Sequence, residues 1–62
     1  MSKETKMLET IKETFEDFCK DAELLLIKGN KSAGRRSRTI SSKLDKLNKE
    51  WRKATLELEK SI

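Results

Sequence analysis

The chain has 62 residues, enough for one small domain and too few to bury a sizeable core unaided. Charged residues make up 42%, there is no His or Pro, and the one cysteine, Cys19, rules out an internal disulfide. No apolar run resembles a signal peptide, and the longest, Leu24 to Ile27, is far too short to span a bilayer, so a cytoplasmic protein is expected.

In chain order, residues 3–28 read as the first helix. Leu8, Ile11, Phe15, Phe18, Ala22 and Leu25 recur at alternating intervals of three and four, an uninterrupted heptad seam. Ser2 suits the N-cap, and Glu4 suits the positive end of the helix dipole. Gly29 and Asn30 then make the turn. The glycine can close a helix in the left-handed conformation, and Asn30, or alternatively Ser32, can cap the next one. The second helix is expected over residues 31–60. Ile40, Leu44, Leu47, Trp51, Ala54 and Leu58 form its seam, and Ala33 and Ser37 extend it backwards with small residues.

A turn this short makes the helices antiparallel neighbours. The expected fold is all-α: a coiled-coil-like two-helix hairpin forming a single domain over 1–62. Leu24, Leu26 and Ile27 fall off the seam, and one stripe per helix is a small core. Both facts favour association, most simply a homodimer forming a four-helix bundle.

Charge is unevenly divided. Residues 1–27 carry four Lys and seven Asp or Glu, whereas residues 28–62 carry eleven Lys or Arg and four acids. From residue 24 to residue 44 there is no acid at all, and six cations: Lys28, Lys31, Arg35, Arg36, Arg38 and Lys43. At about 100° per residue, Lys31, Arg35, Arg38, Lys46, Lys49 and Lys53 fall opposite the second seam, while Arg36 and Lys43 flank it. Such a ridge is often no more than a solvated face. Solvated faces usually interleave the two signs, however, and this window does not. Like charges at i, i+4 and i+7 repel, and they crowd the positive end of a helix dipole. An external polyanion would relieve both costs, and nucleic acid is the commonest one. Gly34 has two readings: an approach for a phosphate backbone, or an approach for the other helix.

The run Lys28-Gly29-Asn30-Lys31-Ser32-Ala33-Gly34-Arg35-Arg36-Ser37-Arg38-Thr39 resembles the bacterial histone-like proteins of the chlamydial linker-histone-like family. Lys43-Leu44-Asp45-Lys46-Leu47 and Trp51-Arg52-Lys53 continue the likeness. It covers roughly residues 5 to 60; larger relatives carry a Lys/Ala/Pro-rich tail as well, so the match is either to a short form or to the part of a longer protein outside that tail. The resemblance implies a helical, nucleoid-associated protein that binds double-stranded DNA with little sequence preference. By position it assigns phosphate contacts to Lys28, Lys31, Arg36 and Arg38. Arg35, Lys43, Asn30 and Ser32 join the expected DNA-binding set from their place in the acid-free window.

Other readings fit less well. Phe15, Phe18 and Trp51 all sit on seams, so no base-stacking platform for RNA is visible. Trp51 reads as core. An adaptor binding partner helices through its seams explains the heptads but not the missing acids. A membrane surface would call for a broader apolar face than a heptad seam. Catalysis is not expected: there is no His and no phosphate-binding loop, and Asp17 and Asp21 flank Cys19. No cofactor or metal is implied.

Overall fold

The computed structural model describes residues 2–62, and among them it contains two helices, α1 (Lys3–Lys28) and α2 (Lys31–Ser61), and no strand. They pack as an antiparallel hairpin with extents of 48 × 18 × 12 Å.

The caps explain those limits. Ser2 Oγ accepts the Thr5 backbone N–H at 3.1 Å. At the other end of α1, Gly29 adopts φ 64°, and its N–H donates to the Leu25 carbonyl at 2.9 Å, while that of Asn30 reaches Leu24 at 3.2 Å. This left-handed closure satisfies carbonyls that the helix end leaves free. Asn30 then caps α2, its Oδ1 accepting the Ala33 N–H at 3.0 Å.

Near the turn the helices meet through small residues. Ala33 is fully buried, and Gly34 and Ser37 are buried beside it. Ser37 Oγ donates to the Gly34 carbonyl at 2.7 Å, so its burial leaves no orphan hydroxyl. A Cβ built on Gly34 would lie 3.1 Å from both terminal methyls of Leu25. The glycine therefore lets α1 come close. Its bare surface faces α1, which removes Gly34 as an approach for phosphate.

Further from the turn, Ile40, Leu44, Leu47, Trp51 and Ala54 of the expected α2 seam are half-buried. Leu58 is 41% exposed, because α2 has 31 residues against 26 in α1 and runs past its partner. The α1 seam needs a larger correction. Ile11, Phe18, Ala22 and Leu25 do face α2, but Leu8 and Phe15 are 41% and 54% exposed. Met7 and Thr14 take their places. Thr14 is buried, with its hydroxyl donating to the Thr10 carbonyl at 2.7 Å. The reason is that α1 carries apolar residues in two overlapping registers. One contains Met7, Ile11, Phe18 and Leu25. The other contains Leu8, Ile11, Phe15, Phe18 and Ala22, and Leu26 prolongs it at the same angle. α2 covers the first and leaves the edge of the second open.

Of the three residues expected off the seam, Leu24 is half-buried, while Leu26 and Ile27 are 82% and 78% exposed. No large side chain is fully buried among the described residues.

Candidate nucleic-acid interface

Helical geometry places the basic residues. α2 meets α1 through Ala33, Ser37, Ile40, Leu44, Leu47 and Trp51. Lys31, Arg35 and Arg38 lie about 160–220° away round the helix, on its outer face, and all three are exposed. Arg35 Nη2 donates to Ser32 Oγ at 3.3 Å, one turn back toward the helix start. No acid stands in the first turn of α2. These cations therefore surround a helix N-terminus that already carries about half a positive charge.

Lys28 and Lys31 bracket the turn, and both are exposed. Asn30 is exposed as well, but its side-chain oxygen is engaged as the cap, so its first role is to start α2. Ser32 is exposed and backs Arg35. The start of α2 thus carries Lys31, Ser32, Arg35 and Arg38 on its exposed side, while Lys28, across the turn, shares a groove with Glu23.

Arg36 and Lys43 lie elsewhere. They are seven residues apart on the side of α2 that turns toward α1. The Arg36 guanidinium spans the two helices to Asp21, with Nη2 to Oδ1 at 3.2 Å and Nε to each carboxylate oxygen at 3.3 Å. Among the described residues this is the one ion pair. The Asp21 side chain is 15% exposed and that of Arg36 is 55% exposed. Arg36 thus ties α2 to α1 one turn beyond the Gly34–Leu25 contact. Lys43 is exposed and has no such tie.

The outer face does not end at Arg38. Lys46, Lys49 and Lys53 continue it, all exposed, with Ser42 in the interval. The periodicity of the sequence already aligned them, but composition drew attention to the acid-free window and away from them, because Asp45 and Glu50 interrupt their stretch. On the helix, Asp45 sits at one edge of the ridge and Glu50 at the other.

The described residues contain no group of acids, His or Cys able to hold a metal ion, and no helix long and apolar enough to cross a membrane. The grooves on the surface are shallow. The one beside the basic tip is lined by Ser32, Arg35, Arg36, Thr39 and Ile40, with no acid in it. A surface of this kind offers point charges and guanidinium forks to an extended anion, without a pocket for a small one.

Comparison with known proteins agrees with that chemistry. The family described as histone H1-like protein Hc1 matches residues 5–61. No curated protein and no solved structure matches the chain.

Proposed function

Since the chain belongs to the histone H1-like protein Hc1 family, whose histone-like role is chromatin-associated DNA binding, we propose that it binds duplex DNA through phosphates, without reading sequence. The observation that carries this is the outer face of α2 near the turn. Lys31, Arg35 and Arg38 are exposed there, none is ion-paired, and no carboxylate lies between residues 24 and 44. Lys28 extends the surface across the turn. Each cation that meets a phosphate releases condensed counterions, so binding weakens steeply with salt. Base readout has no support: Asn30, the amide nearest the arginines, is committed to capping. The reading places the protein at the nucleoid.

We also infer that the hairpin pairs with a second copy. Leu8, Phe15 and Leu26 form the open edge of the second α1 register, and Phe15 stacks on half-buried Phe18 with ring centroids 6.2 Å apart. The broad face of the hairpin, 48 × 18 Å, is about the ~800 Å² per partner that a specific interface needs. On that flank α2 presents Ser41 and Asn48, with half-buried Thr55 beyond them, so between residues 41 and 55 its nearest strip is uncharged.

Mobility shifts with several unrelated duplexes, each titrated with salt, test the DNA reading. All should bind alike, with a log–log slope of about −0.9 for each phosphate contact. Absence of binding to every duplex at about 50 mM salt and micromolar protein would instead favour a helical adaptor acting through its apolar stripe.

A further inference from the structure

We propose that Lys46, Lys49 and Lys53 form a second phosphate-contacting site, and that α2 straddles the major groove with this cluster on one strand and Lys31, Arg35 and Arg38 on the other. The proposal rests on the DNA-binding reading and specifies how the helix lies on its ligand.

The geometry comes from one straight element. α2 is unbroken from Lys31 to Ser61, with no proline to kink it. Its six outer cations fall within one arc of about 80° on the helix surface. Along the axis they form two groups of three. Eight residues separate Arg38 from Lys46, a gap of about 12 Å at ~1.5 Å per residue. Ser42, small and exposed, is the residue of the ridge inside that gap.

That gap selects a groove. The major groove of B-form DNA is about 12 Å wide and the minor groove about 6 Å. A helix laid across the major groove therefore sets each triplet over one wall, with Ser42 above the opening. Across the minor groove, both walls would fall inside the uncharged gap. All six cations are exposed and unpaired, since the one ion pair among the described residues uses Arg36. Asp45, Glu50 and Glu57 border the second group, and Lys53 lines a groove with both glutamates, so it is the weaker of the two. The ridge points away from α1 and from the apolar flank, and a bound duplex would obstruct neither.

Three triple variants of the full chain, each losing three positive charges, separate the possibilities. Lys46→Ala/Lys49→Ala/Lys53→Ala should make the salt slope on duplex DNA shallower by about 2.7. It should also lower the preference for duplex over single-stranded DNA of the same length, because a single strand has no second wall. Lys31→Ala/Arg35→Ala/Arg38→Ala should flatten the slope by the same amount and lower the affinity further. Lys3→Ala/Lys6→Ala/Lys12→Ala, on α1, should leave slope and preference as in the parent. Helicity by circular dichroism should be equal in all three. A parental slope and preference in the Lys46 variant, with loss in the Lys31 variant, would overturn the straddling site and leave DNA binding at the tip intact. Equal losses in all three would reduce the effect to net charge and overturn it too. A parent protein that binds no duplex would remove the DNA reading itself.

Discussion

The outer face of α2 and the open flank of α1 are both exposed, and neither is comfortable in water alone. The first is a row of like charges at helical spacing, which repel one another. The second is a row of leucine and phenylalanine, which water disfavours. They lie on different sides of the hairpin, so one partner need not compete with the other. The contrast separates two demands that a charge-rich, heptad-rich sequence runs together. Association through the flank should follow protein concentration and hardly notice salt. Association through the ridge should follow salt, because counterion release drives it.

The largest expected effect breaks the apolar side of this contrast. Leu8→Glu with Phe15→Glu places carboxylates where a second copy would sit. Each large side chain contributes about 1.5–3 kcal/mol on burial, so the dimer constant should weaken more than about a hundredfold. Sedimentation across a protein concentration series reads this. The salt slope for DNA should stay as in the parent. Self-association that persists in the double variant would locate the interface elsewhere.

Next comes the platform that both surfaces share. Trp51 is half-buried, so Trp51→Ala should cost roughly 2 kcal/mol, below the ~3–5 kcal/mol typical of a buried aromatic. Urea denaturation measures it. A loss above that range would mean that a second copy completes the burial of Trp51. Gly29→Ala should cost about 1–2 kcal/mol in the same assay, because φ 64° is a conformation that only glycine adopts cheaply. At Gly29 a Cβ would meet nothing within 4 Å, so the effect isolates backbone conformation from packing.

Much of the hairpin could be read from the residues themselves. Ser2, Gly29 and Asn30 act through local chemistry that needs no tertiary knowledge, and the helix limits follow from them. The α2 seam was equally plain, because its apolar residues occupy one register. α1 was harder. It satisfies two heptad registers, and period alone cannot say which one the partner helix takes. The uninterrupted apolar register was the natural choice, and yet Thr14, a polar residue, is buried while Phe15 is not. Thr14 pays nothing for this, since its hydroxyl bonds within its own helix. Gly34 was ambiguous for a different reason: a missing side chain does not say which surface it opens. The ridge was visible as an angle, but the Arg36–Asp21 pair joins residues fifteen apart across the turn, beyond the reach of pattern.

That pair gives the smallest and most discriminating prediction. Arg36 and Arg38 share the acid-free window and the family-like segment, so composition and likeness treat them alike. The fold does not. Arg38 is free on the outer face, whereas Arg36 is held by Asp21. Arg38→Ala should therefore make the DNA salt slope shallower by about 0.9 and leave stability unchanged. Arg36→Ala should do the opposite: a stability loss of at most about 1 kcal/mol, as for other partly exposed ion pairs, with the slope close to that of the parent. Asp21→Asn should reproduce the stability loss without removing a cation. It should also release Arg36, so its slope should be equal to the parent's or slightly steeper. If Arg36→Ala instead matched Arg38→Ala in slope, the guanidinium would have to leave Asp21 for a phosphate on binding. The basic surface would then wrap the turn toward α1, and the straight ridge of α2 would not be its whole extent.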